Sequence, residues 1–503
     1  MTRLRLAYPT IITAFLAPAA FADLTAEDVW KDWQANMDSF GYAYTADEAR
    51  APGQLNVTNL VVNSTMADEF NSAKITFESI LLVERSDGSV SITMPAVTPI
   101  EILSTPEQGE TVEFGMNLTQ DGMRIIATGN PAALQYDYAA NSVELTTTQI
   151  EINGEVMPAD SNRIEARFSA ISGRTDMLLD TMRRQKQTLS VGSLSYTFMI
   201  SEPDEEAEVD VTGGAEALSF SGTSATPLEI VQANDMSAML DAGFSVDGTF
   251  NYENGRAEVR AVSPQEQFAG LFAAETGSLD VDMNRDGLRY SATQTGLGVQ
   301  MASGGIPVPI DATIERAGFS LLMPLRESES AQDFGISVEL NGFTMSDMLW
   351  GLFDATGQLP RDPATAVVQL AGKGRLLFDF LDPEAAMISG NPNITPAEID
   401  SVDINKLELS VAGASLTGTG AFVFENSAGS PPRPVGGVDL TLVGGNGLLD
   451  KLVAIGLFPE QQATGVRMMM GLLAVPGDAP DTLNSRLEIN EQGHISANGQ
   501  RIQ

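Results

Sequence analysis

The side chains in this 503-residue sequence that could do chemistry are few. Asp282-x-Asn284-x-Asp286-Gly287 sets oxygen donors at alternate positions before a turn-forming glycine, which is what a calcium loop requires. Position twelve of such a loop is Thr293 instead of a bidentate glutamate, and the flanks alternate like strands. A hairpin turn is therefore the leading account, with a weak calcium site at Asp282, Asn284 and Asp286 as the alternative. His494, the single histidine, stands beside Gly493 in a turn signal. The chain has no Gly-x-Ser-x-Gly elbow and no Ser-x-x-Lys, so no catalytic residue is assigned. Gly372-Lys373-Gly374 and Gly444 to Gly447 lack the Walker and dinucleotide spacings. Met468, Met469 and Met470 with Leu473 could form an adaptable apolar contact surface, and ordinary core is the competing account.

Composition removes further classes. With no cysteine, thiol catalysis, thiolate metal sites and disulfides are excluded, and one histidine excludes His-rich metal centres. The 67 acidic against 28 basic residues give a formal charge of −39, which argues against nucleic-acid partners and anionic membranes. A carboxylate pair for hydrolysis cannot be chosen from so many acids without geometry. Apolar residues, 43% of the chain, suffice for a sizeable core.

Residues 1–22 read as a secretory signal, with Arg3 and Arg5 before an apolar run and Ala20-Phe21-Ala22 as the cleavage site. The expectation is a periplasmic protein, with secretion as the lesser alternative. No later apolar run reaches the ~18 residues of a transmembrane segment.

The elements that would position these residues are mostly strands. Thr25 to Asp28 reads as a capping box opening a helix with Trp30, Trp33, Met37 and Phe40 on one stripe. From Tyr42 to about Ile200 apolar and polar residues alternate, the period of half-buried strands. Nine Asx-Gly pairs punctuate the chain as hairpin signals. Helices are expected only as interruptions, at about 174–185, 234–242, 264–275 and 345–355, and as a C-terminal pair. The run Phe114 to Thr128 has an echo at Leu279 to Thr293, which suggests an internal repeat against the alternative of recurring hairpin composition. The organisation expected is an N-terminal β-rich half over 23–200, an acidic loop or hinge over 201–217, a second β-rich half over 218–434 and a C-terminal unit over 435–503.

In that unit Val438, Leu440 and Leu442 alternate as a strand, and the spacing then predicts two helices divided at Pro459 and a closing hairpin at Glu491-Gln492-Gly493. Gly444 to Val453, Gly465 to Leu472, Asn490 to His494 and Asn498 to Arg501 resemble the C-terminal part of domain-of-unknown-function family 2125, found in exported alphaproteobacterial proteins. Ala26 to Trp33 is similar to that family's start, so the resemblance would cover nearly the whole mature chain. It supports compartment and architecture and transfers no mechanism, since the family has no established activity.

The fold expected is mainly β (a β-rich α+β class): an elongated antiparallel meander with a few short helices and a C-terminal helical hairpin between strands. The leading functional expectation is a non-enzymatic periplasmic protein binding a lipid or other apolar ligand along a curved sheet, with no cofactor beyond the calcium alternative. A module binding another envelope protein is the second reading, and a carboxylate hydrolase the third.

Overall fold

The computed structural model describes residues 24–64, 72–105, 109–157, 162–202, 206–228, 236–381, 396–426 and 432–503. The signal expected over 1–22 lies outside them, as do Pro203, Asp204 and Glu205 of the acidic cluster.

The described strands form one antiparallel sheet, as the alternation predicts. Its first part is irregular. Ala43–Ala51, Gln54–Ser64 and Ser72–Glu84 pair in sequence, and Ala133–Ile152 then takes Val112–Asp121 and Arg124–Asn130 end to end along one edge. From Asn162 onward each long strand pairs with the next, through Met182–Glu202, Ala207–Pro227, Ser245–Val262, Gln267–Asn284, Gly287–Ser303, Ile310–Met323 and Gln332–Met345. Ala364–Leu376, Ala397–Val411, Ala414–Glu425, Arg433–Val443 and Thr482–Ile489 continue the ladder. The two longest strands have 21 residues each, a span of about 70 Å at ~3.3 Å per residue.

Five helices interrupt the described strands: α1 (Ala26–Ser39), α2 (Met236–Asp241), α3 (Asp347–Gly351), α4 (Gly445–Ala454) and α5 (Glu460–Leu473). The capping box of α1 forms in full. Asp28 N–H donates to Thr25 Oγ1 at 3.1 Å, and Thr25 N–H donates to Asp28 Oδ2 at 3.1 Å. α4 has Gly444 at its N-cap position and no capping side chain of its own. Asp481, from the loop after α5, accepts the N–H groups of Asn446 and Gly447 at 3.2 and 2.9 Å instead.

Two buried clusters mark the ends. Leu24, Val29 and Trp30 of α1 pack on Leu55, Val57, Ile80, Leu82, Ile92, Leu134 and Met177 at the N-terminal end. Trp350 of α3 packs with Leu359 and Ala412 at the other, and Leu448 and Leu452 of α4 close over them.

A crease crosses the long strands. Ala170, Ala217, Asn254, Gly296 and Gly342 have φ of 53°, 47°, 51°, 59° and 66°, left-handed backbone in mid-strand. The pairing brings them into one transverse line: Ser169↔Ser193 and Ile171↔Val191 flank the first, and Thr295↔Arg316 and Leu297↔Ile314 flank Gly296. A left-handed residue breaks the pleat, so the inward set changes parity there. Gln267–Asn284, which has no left-handed residue of its own, follows its neighbours Asn254 and Gly296: its inward set passes from Phe268, Gly270, Phe272 and Ala274 to Gly277, Leu279, Val281 and Met283.

Several expectations are corrected. Residues 174–185 and 264–275 are not helical. The first region is the hairpin between Asn162–Leu179 and Met182–Glu202, and the second lies in the start of Gln267–Asn284. Helix-forming residues there yield to ladders on both edges of each strand, a tertiary override of local propensity. Of the expected acidic loop or hinge, the described residues 201–202 and 207–216 are strand, paired across the boundary between the two halves. At residue 435 the ladder is again unbroken, since Arg433–Val443 pairs on both sides.

The two runs of the suggested repeat sit differently in the sheet. Asn284 pairs with Gly287 across a two-residue hairpin turn. Asp121-Gly122 joins two segments that both pair with Ala133–Ile152 and run on in one direction, so it is a kink in a continuing strand.

Candidate ligand-binding face

Cross-strand partners share a face of the sheet, so the register assigns every side chain of the long strands to one of two surfaces. One surface is polar and carries ion pairs between facing residues, among them Arg174–Asp137 at 2.7 Å, Lys373–Asp333 at 2.6 Å and Arg486–Asp439 at 2.8 Å. The opposite surface is apolar along its length. Phe198–Val211–Val259–Gly270–Met301–Ile310 is one transverse row, and Phe220–Phe250–Leu279–Ala292–Phe319–Val338–Val368–Leu407 another.

This apolar surface is neither free nor filled. Along Ser245–Val262 its side chains are half-buried while those of the polar surface are exposed. Crowding on one side without a covering layer marks curvature toward that side along Ser245–Val262, whereas at Ile336, Val338 and Leu409 the apolar side chain is the exposed one and Ser337, Glu339 and Glu408 are half-buried. Phe319, Ile336, Val338 and Leu409 remain 38%, 39%, 48% and 41% exposed on it. A second sheet packed on these strands would have buried them.

The floor of the concave face is smoothed by aromatic rings lying across glycines of neighbouring strands. A Cβ at Gly173 or at Gly213 would stand 2.5 Å from the ring of Tyr138 or Tyr196 respectively, and Gly277 lies directly beneath Tyr252. Neutral amides hold two of these rings from the same face. Gln187 Nε2 donates to the Tyr138 hydroxyl at 3.1 Å, and Gln294 Nε2 donates to the Tyr252 hydroxyl at 2.7 Å. The strand glycines are the signal in the sequence that these rings lie flat.

The ends of the face are covered. α2 bridges the turns at one end: Ser237 Oγ donates to Asp379 Oδ2 at 2.9 Å, Asp241 pairs with Arg326, and Leu240 is fully buried. Asp241 is held below the usual carboxylate range by its bond from Arg326. α1 covers the face at the N-terminal end and leaves beside it a cavity of about 410 Å3, lined by Trp33, Met37, Val62, Phe77, Met94 and Met177 and, on its polar side, by Asp32, Arg183 and neutral side chains.

Asp32 and Arg183 are only 8% and 7% exposed and form an ion pair. The Tyr136 hydroxyl donates to Asp32 Oδ2 at 3.2 Å, and Arg183 Nη2 also reaches the Asp32 carbonyl at 3.4 Å. Burial, then the Asp32 charge, push the Tyr136 hydroxyl well above its ordinary value.

The residues singled out from the sequence lie elsewhere. Asp282 and Asn284 stand at the end of a strand on the polar surface, with Asp286 in the turn. Asn284 Nδ2 donates to Asp282 Oδ1 at 2.9 Å, and Asn284 Oδ1 accepts Asp286 N–H at 2.8 Å. The Asn284 carboxamide thus holds the hairpin. His494 closes the final turn through its backbone, its N–H donating to Asn490 Oδ1 at 3.0 Å. The methionine stripe divides: Met470 and Leu473 turn inward with Ala463 and Val466, while Met468 and Met469 are 73% and 61% exposed. Met469 lies one position off the inward 463–466–470–473 stripe, which is why it stays exposed. Sequence reasoning missed the cavity under α1, for its lining comes from seven separated segments.

Residues 255–496 match the model of DUF2125, described as an uncharacterized protein conserved in bacteria. This part of the chain is similar to that family. The DUF2125 match takes in the creased strands from Gly255 onward, α2's partners Arg326 and Asp379, and the helical pair α4 and α5. The likeness of Ala26 to Trp33 falls outside it, so the match is shorter than the whole mature chain. No curated protein and no solved structure matches the chain.

Proposed function

We propose that this is a non-enzymatic, exported protein of the periplasm that binds a lipid or other elongated apolar ligand along the concave face of its sheet. The observation that carries the reading is the uncovered apolar surface, on which Phe319, Ile336, Val338 and Leu409 are each more than a third exposed. Leaving so much apolar area in water is costly at ~25 cal/mol per Å2, and a bound chain would recover it. Flat rings over glycines suit a ligand that slides along the strands' cross-direction, because they offer contact area without ridges. The convex side, with its acids and ion pairs, keeps the protein in solution.

Native mass spectrometry of the protein purified from its own periplasm without detergent, followed by organic extraction, tests the reading. Lipid at a fixed stoichiometry, lost on Val338→Asp substitution in the middle of the face, is the expected result. A bare mass together with no uptake of fluorescent lipid from vesicles would overturn it. The exposed Met468, Met469 and Leu472 of α5 favour a second reading, a contact with another envelope protein. A partner lost on Met468→Ser/Met469→Ser substitution would carry that reading.

A further inference from the structure

The cavity beneath α1 has a chemistry different from that of the open face, and it lies where the face ends. Its apolar wall is built by Trp33 and Met37 of α1 against Val62, Phe77 and Met94 of the sheet. Toward the long strands its wall is polar and uncharged: Asn36, Thr175, Gln185 and Gln187. Among the described residues the only charged side chains lining it are Asp32 and Arg183, and each is spent on the other. A volume of about 410 Å3 lies within the ~300–1,000 Å3 range of small-molecule sites.

We propose that this cavity is an end pocket that takes the uncharged, hydrogen-bonding head of a single-chain amphiphile whose tail runs out along the concave face. The inference rests on the binding function proposed above and names the ligand's class and orientation. An anionic head finds no unpaired cation there, because the Arg183 guanidinium already meets the Asp32 carboxylate. It would also meet the field of a chain with formal charge −39. Hydroxyl and ester groups, by contrast, match amides that both donate and accept. Gln187 is already oriented by its bond to Tyr138, so its carbonyl oxygen is placed to accept from a ligand hydroxyl.

The chain's three tryptophans make the test direct, since Trp33 lines this pocket, Trp30 stands in the buried cluster beside it and Trp350 lies in the other cluster. In the full-length mature protein carrying Trp350→Phe, fluorescence is followed during titration with a brominated monoacylglycerol and, separately, with the brominated fatty acid of equal chain length. The uncharged lipid is expected to quench, with apparent affinity at least tenfold above that of the carboxylate. Gln185→Leu/Gln187→Leu should weaken the uncharged lipid about tenfold, the loss of two hydrogen bonds, and leave the fatty acid unchanged.

Lipid that binds by native mass yet leaves Trp30 and Trp33 unquenched would overturn the end pocket while the open-face reading stands. Equal affinity for the two lipids would overturn the assignment of an uncharged head. Absence of any mass gain with either lipid would sink both proposals. Unaltered far-ultraviolet circular dichroism of the double glutamine variant guards against loss through misfolding.

Discussion

Arg183→Met should destabilise the N-terminal end of the sheet by about 3 kcal/mol, and adding Asp32→Leu should return most of that loss. In the native chain the Asp32 carboxylate, 8% exposed, receives Arg183 on one oxygen and the Tyr136 hydroxyl, at 3.2 Å, on the other. Removing the guanidinium leaves a buried charge with a single partner, and breaking such a pair costs ~3–5 kcal/mol. The lower figure applies because Tyr136 stays in place and the adjoining cavity can admit water. Asp32→Leu alone strands Arg183 in the same way, with Met177 Sδ at 2.7 Å as its remaining neighbour outside the Asp32 backbone. The double variant buries no charge and should be at least ~2 kcal/mol more stable than either single one. Urea unfolding read by Trp30 and Trp33 in a Trp350→Phe background reports this end of the sheet alone. A double variant no more stable than the worse single one would refute charge stranding and leave lost packing as the cause.

Three further outcomes follow from the geometry. Tyr136→Phe should flatten the fall in stability at high pH: the native hydroxyl's pKa is raised by burial and by Asp32, so its contribution is full below pH ~10 and is lost as pH rises toward the folded-state value, which alkaline titration of unfolding will read. Asp481→Ala should cost about 1 kcal/mol by uncapping α4, with Asp481→Asn recovering part of it, as measured by thermal unfolding. Gly296→Val should cost at least ~2 kcal/mol, because a β-branched residue must hold a φ of 59° and its Cβ would meet the Glu275 side chain, whereas Gly298→Val, with open space around it, should cost less than ~1 kcal/mol in the same assay.

Much of the architecture was legible because alternation is a local signal. The capping box at Thr25, the helical pair divided at Pro459 and the meander between them follow from periods of 3.6 and 2 read over short windows. The false helix at 264–275 has a definite origin. Where a strand changes parity at the crease its inward residues stand three apart, as at Ala274 and Gly277, and Phe268, Leu271, Phe272 and Glu275 fall at helical spacing. The Asx-Gly pairs misled for a related reason. Asp87, Asn153, Asp286 and Asn498 do turn hairpins, while Asn254-Gly255 and Asn341-Gly342 supply positive φ to the crease in mid-strand. Positive φ was the correct inference and the turn was not. The end pocket and the Asp32–Arg183 pair, 151 residues apart in the chain, depend on the register of non-neighbouring strands, which no local window contains.

A sheet of this kind holds together as a ribbon does, each strand stabilised by its two neighbours and by little else. The two buried clusters lie under α1 and under α3 and α4, so the creased middle has few fully buried side chains. A protein without disulfides that needed only rigidity could have packed a second layer on those strands and buried Phe319 and Val338 outright. Instead the face stays open, its rings pressed onto glycines, and its ends are shut by α2 at the turns and by α1 over the first strands. Closure at the ends with openness between them is economical only if something of stated length occupies the middle. Such an occupant would stabilise the folded state by mass action, about 2.7 kcal/mol at a hundredfold excess over its Kd, and would do so where the strands have least internal support.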